Sequence, residues 1–155
     1  MAKLICEDEN VKTSFELIFL KDKIEKRPGI SWIPYKIILE SLEKRLVYEK
    51  ENNNKGAGDY VLSLDPVNEI ENLINGIKSF VENETQKLFS FEPIEPAFEV
   101  ILERSFKGYS TTVWMDAGNI DSDHYAWDGF GVRFFTNEDK IKLFLLDLEK
   151  DAKKN

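Results

Sequence analysis

Between residues 67 and 81 the apolar side chains Val67, Ile70, Leu73, Ile74, Ile77, Phe80 and Val81 recur every three or four positions. That is the period of a helix with one buried face. Asp65 and Pro66 stand directly before the run. An aspartate can accept hydrogen bonds from the free amides of a first helical turn, and proline fits the first helical position, where no N–H is needed. The pattern predicts a helix over 66–82, with the polar stretch 82–87 as its exit. On either side the period falls to two. Phe15, Leu17 and Phe19 alternate toward one face, as do Phe98, Val100 and Leu102. Short apolar runs at 4–6, 60–64, 88–91 and 109–115 extend the strand pattern, and Pro93 and Pro96, which cannot donate to a central ladder, end the third of them. Residues 35–39 and 46–48 are rich in β-branched and aromatic side chains and favour extended structure, although 40–45 could continue a helix instead. The run 125–135 is a last strand. Gly129 and Gly131 within it suggest a bulge or a close approach of backbone. Thr136-Asn137-Glu138-Asp139 then reads as a cap with acidic first-turn residues, opening a closing helix over about 137–152 with Ile141, Phe144, Leu145 and Leu148 on its apolar side.

Strands, helix, strands, helix is the order of an α+β domain, with antiparallel sheets and two main helices packed on them. No repeat, low-complexity tract or shift of composition divides the chain, so 1–155 reads as a single domain. With 42% hydrophobic residues, eleven of them Phe, it can build a core without disulfides or a structural metal. Residues 51–59 are polar and turn-rich, the composition of a hairpin tip.

Charge and rare residues narrow the chemistry. A formal charge of −8 disfavours nucleic acid and anionic membranes as partners and suits a basic protein. The lone Cys6 excludes an internal disulfide and sits in an apolar run, as a buried inert thiol would. His124 is the only histidine, which rules out any site needing two imidazoles from one chain. No segment reaches the roughly 20 apolar residues of a membrane span, and no signal sequence is visible at residue 1, so a soluble, cytoplasmic protein without cofactors is expected.

A resemblance sharpens this picture. The stretch Leu88-Phe89-Ser90-Phe91-Glu92-Pro93-Ile94-Glu95-Pro96-Ala97-Phe98-Glu99-Val100 resembles the F-x-E-P-x-x-x-F strand pair of WapI-type immunity proteins from bacterial polymorphic-toxin systems. Leu62-Ser63-Leu64-Asp65-Pro66 is similar to that family's strand-to-helix junction, and Gly131-Val132-Arg133-Phe134 with its helix fits the same layout. The resemblance implies a non-enzymatic intracellular antidote that binds a toxin domain, often a nuclease with a basic site. It carries no catalytic residues. An acidic inhibitor would be steered onto such a target.

Two acidic groups are candidates for chemistry. The first is Asp116, Asp121, Asp123 and Asp128 around His124, flanked by Trp114, Tyr125 and Trp127. The spacing is not that of an EF-hand, so a divalent-metal enzyme is the weaker reading and a solvated loop the plainer one. As a partner-binding loop its carboxylates would meet lysines and arginines, beside aromatics of the kind that dominate interfaces. The second group is Glu92, Glu95, Glu99 and Glu103, of which Glu99 and Glu103 share a strand face and read as solvated. No serine-nucleophile, phosphate-loop or dinucleotide glycine pattern occurs. An adaptor domain for an ordinary cellular partner is the alternative from a different class.

Overall fold

The computed structural model describes residues 1–8, 10–20, 32–49, 63–94, 96–116 and 129–153. Strands β1 (Ala2–Ile5), β2 (Thr13–Phe19), β3 (Ile33–Ser41) and β4 (Lys44–Tyr48) form a first antiparallel sheet in chain order, and the short β5 (Ser63–Leu64) also pairs with β3. Helix α1 follows, as a wide first turn Pro66–Ile70 that runs into regular helix Glu71–Glu82. Strands β6 (Leu88–Phe91), β7 (Phe98–Ser105), β8 (Gly108–Asp116) and β9 (Gly129–Thr136) make a second antiparallel sheet, again in chain order, and α2 (Glu138–Lys153) follows it. The expected α+β architecture is present, and the ambiguous segment is a β-hairpin in which Ile37 pairs with Tyr48 and Ser41 with Lys44.

Alternation places the core. The buried positions Phe15 and Leu17 on β2, Tyr35, Ile37 and Leu39 on β3, and Phe98, Val100 and Leu102 on β7 share one cluster with the buried sides of both helices. The two sheets meet directly: the Phe98 ring lies 6.2 Å from Phe15 and 5.5 Å, edge-on, from Tyr35. Such aromatic pairs contribute about 0.5–1.5 kcal/mol beyond their buried area. On α1, Phe80 contacts Phe89 and Tyr109 of the second sheet, while Phe144 of α2 contacts Phe15 of the first.

The start of α1 departs from a regular helix for a visible reason. The Asp65 carboxylate accepts from the N–H groups of Val67 (2.9 Å) and Asn68 (3.2 Å). The Asp65 carbonyl accepts from both Glu69 N (2.9 Å) and Ile70 N (3.0 Å), so the turn is one residue wider than an α-turn. That offset rotates Val67 out of the apolar stripe, leaving it 63% exposed, whereas Ile70, Leu73, Ile77 and Phe80 are buried as expected. The wide turn carries Glu69 inward. One of its carboxylate oxygens accepts from Asp65 N and the other from Ile94 N, each at 2.7 Å. A single buried carboxylate therefore fastens the Asp65-Pro66 start of the helix to the Pro93-Ile94 turn between β6 and β7.

The other end of α1 is closed by Arg104 of β7. Its guanidinium donates to the carbonyls of Phe80 (2.6 Å), Val81 (3.1 Å) and Gln86 (3.0 Å) and to the Tyr109 hydroxyl (2.8 Å). It also lies over the Phe80 and Tyr109 rings at 5.0 and 5.2 Å. A cation at a helix C-terminus satisfies carbonyls that lack an intrahelical partner and complements the helix dipole. Burial raises the Tyr109 phenol above its ordinary value of 10.0, and its hydroxyl donates to Glu138 Oε2 at 3.3 Å, on the first turn of α2.

Candidate partner-binding face

Each sheet has a second face outside the shared core cluster, and the two faces differ in how their charges are settled. On the first sheet, Lys3 lies 2.7 Å from Glu16 and 3.4 Å from Glu40, and Lys36 lies 3.6 Å from Glu49. Cations and carboxylates there neutralise one another across neighbouring strands. The second sheet behaves otherwise. Its outward rows, set by the register, are Leu88, Glu103, Ser110 and Phe135; then Ser90, Ile101, Thr112 and Arg133; then Glu99, Trp114 and Gly131. Arg133 donates from Nε to Thr112 Oγ1 at 3.1 Å. Glu99, Glu103 and the neighbouring Glu92 form no ion pair among the described residues.

Trp114 is the centre of this face. It points away from Val113 and Met115, which are buried, and is itself 45% exposed. The two glycines of β9 make the room for it. A Cβ on Gly131 would come within 2.5 Å of Trp114 Cε3 and 2.9 Å of Cζ3, and one on Gly129 within 3.8 Å of Cε3. The ladder itself is regular here, with Trp114 opposite Gly131 and Asp116 opposite Gly129, so the glycines mark no bulge. What approaches the backbone closely is an indole ring. One side of that ring is thereby spent on the strand, and Glu99 stands opposite it on the adjoining strand. Burial pushes the Glu99 carboxyl above its ordinary value of 4.5, and the charge of Glu92 pushes it further. The Trp114 end of this face thus carries two neighbouring carboxylates, with the Arg133 guanidinium one row away on β9.

Of the residues singled out in the sequence, Trp114 and Asp116 fall at this end of β8, where the Asp116 N–H donates to Ala97 O at 3.0 Å. Asp121, Asp123, His124, Tyr125, Trp127 and Asp128 lie outside the described residues. Strand β8 ends at Asp116 and β9 begins at its register partner Gly129, one row beyond Trp114. Of Glu99 and Glu103, read from the sequence as a solvated strand face, Glu103 is exposed opposite Ser110, while Glu99 is half-buried opposite Trp114. The β8–β9 register would have been needed to find the glycine floor. Among the described residues no three His, Cys, Asp or Glu side chains are grouped to hold a metal ion, and no helix is long and apolar enough to cross a membrane. No family model, characterised protein or solved structure matches this chain.

Proposed function

We propose that this chain is an immunity protein: a non-enzymatic, cytoplasmic protein that binds a basic toxin domain and neutralises it, with the outer face of the second sheet as the binding surface. The observation that supports it is the exposed indole of Trp114 with Glu99 opposite it and Glu92 near Glu99, carboxylates that form no ion pair among the described residues. The resemblance of the 62–66 and 88–100 segments to the immunity family and the formal charge of −8 point the same way. An acidic face speeds encounter with a basic partner, while an aromatic at its centre supplies the desolvated contact that holds the complex. A toxin with a polyanionic substrate would present its own cationic site to this face.

Co-expression with the toxin domain encoded beside the gene is the test. Growth is restored and a complex elutes on gel filtration if the proposal is correct. Trp114→Ala combined with Glu99→Lys weakens that complex by at least about 30-fold, the loss of one interface hot spot. Persistent growth arrest with no complex refutes the proposal. A complex that forms but leaves the toxin active supports the adaptor reading instead.

A further inference from the structure

We propose that the tip of the β7–β8 hairpin is a second docking point, which takes an acidic segment of a protein partner alongside the exposed ring of Phe106. The hairpin loop has two residues, Phe106 and Lys107, between the paired Ser105 and Gly108. Turn positions of this kind favour small polar residues, because nothing covers them. Here a phenylalanine stands 93% exposed. Full exposure of a ring this size forgoes its burial energy.

The loop is also held in place. Gly108 adopts a φ of +120°, and a Cβ there would meet the Thr136 carbonyl at 2.8 Å, so the chain passes tightly against β9. Lys107 Nζ sits 5.5 Å from the centre of the Phe106 ring. At the foot of the tip is an open depression of about 530 Å³, lined by Lys87, Arg104, Ser105, Phe106, Gly108 and Tyr109. Arg104 is fixed by the α1 carbonyls. Two carboxylates stand near, Glu138, which accepts from the Tyr109 hydroxyl and is paired with Lys142 at 2.6 Å, and Glu7, 4.0 Å from the Cβ position of Gly108; against them are Lys87, Arg104 and Lys107 together with Lys142. In a chain of charge −8 this is a local cationic surface with an apolar peg beside it. Charge complementarity selects a carboxylate-bearing segment, with an apolar side chain to cover Phe106. The surface is separate from the Trp114 face and does not depend on it.

The test is an NMR titration of the ¹⁵N-labelled protein with the peptide acetyl-Asp-Phe-Asp-amide, beside acetyl-Asn-Phe-Asn-amide and inorganic phosphate. The acidic peptide is expected to shift the Lys107 and Gly108 amides and the Arg104 Nε–H in a saturable way. The neutral peptide and phosphate do not. Phe106→Ser, which unfolds at the same temperature as the parent because the ring is exposed, loses at least about nine-tenths of the response. Absence of shifts, equal shifts with the neutral peptide, shifts reproduced by phosphate alone, or a response that survives Phe106→Ser each overturn the proposal.

Discussion

Arg104→Ala removes the one cation that closes the C-terminus of α1, and its cost follows from the contacts. The guanidinium donates to Phe80 O at 2.6 Å and to the Tyr109 hydroxyl at 2.8 Å in part-buried surroundings. The bonds to Gln86 and Val81 are longer, at 3.0 and 3.1 Å, and that to Asn83, at 3.3 Å, is exposed to water, so only the two shortest bonds enter the cost. A hydrogen bond from a charged donor contributes about 1.5–3 kcal/mol, and the two ring contacts together about 1 kcal/mol. The low end for the two shortest bonds, with the rings, gives a loss of about 4 kcal/mol. At a urea slope of about 2 kcal/mol per M, the unfolding midpoint falls by about 2 M. Arg104→Lys keeps the charge near the helix dipole but cannot reach several carbonyls at once, so about half the loss is expected. Urea unfolding followed by far-UV circular dichroism reads both variants, and hydrogen exchange of the α1 last-turn amides locates the effect. A midpoint shift below about 0.5 M for Arg104→Ala would refute this account of the cap.

Glu69→Ala leaves Asp65 N and Ile94 N without their shared acceptor and should cost about 2–4 kcal/mol by chemical denaturation, whereas a surface glutamate such as Glu71 should cost under about 0.5. Ile77→Asp places an unpaired charge in the fully buried side of α1 and should abolish cooperative unfolding; a soluble variant with a sharp transition contradicts the core assignment. Gly131→Val forces the Trp114 ring off its floor and should change the environment of that indole in ¹⁵N NMR while weakening partner binding; an unmoved indole resonance would show that the ring does not rest there. The Glu99 carboxyl is raised by burial and by Glu92, so the folded state holds its proton more tightly than the unfolded state. Stability contributed through this group is therefore greater below its folded value and falls as pH rises through it. Glu99→Gln should raise the melting temperature at pH 7 and leave it unchanged at about pH 3, below the ordinary glutamate range.

How much of this was legible depends on the period of each signal. The α1 stripe and the alternating strands could be read because burial on one face imposes a repeat on the sequence. Val67 broke the pattern because the first turn is wider than regular helix, and spacing alone does not report the width of a turn. Arg104 carried a signal that the strand reading passed over. It shares parity with Phe98, Val100 and Leu102, so a charge was due to arrive on the buried face and needed partners there. Asp65 and Glu69 are four apart, one more than in the usual capping box, which is the spacing that the wider turn accommodates. The Trp114 face was half visible. Outward facing could be counted along β8, but its glycine floor belongs to β9, and only the cross-strand register joins the two.

The seam between β1 and the end of the second sheet has a consequence for synthesis. Glu7 N donates to Phe135 O at 2.7 Å, Thr136 Oγ1 to Ile5 O at 2.9 Å, and Lys140 Nζ to the carbonyls of Cys6 and Glu7 at 2.7 and 2.9 Å. These bonds join residues more than 120 positions apart, and β1 is also what covers the edge of β2. While a ribosome is still making the chain, β1 has no second sheet to dock against, and an early sheet is left open to pairing with a neighbouring nascent copy. Completion is therefore a late event that waits for α2 to emerge, and a cell making this protein in haste would be expected to lose part of it to aggregation before the seam can close.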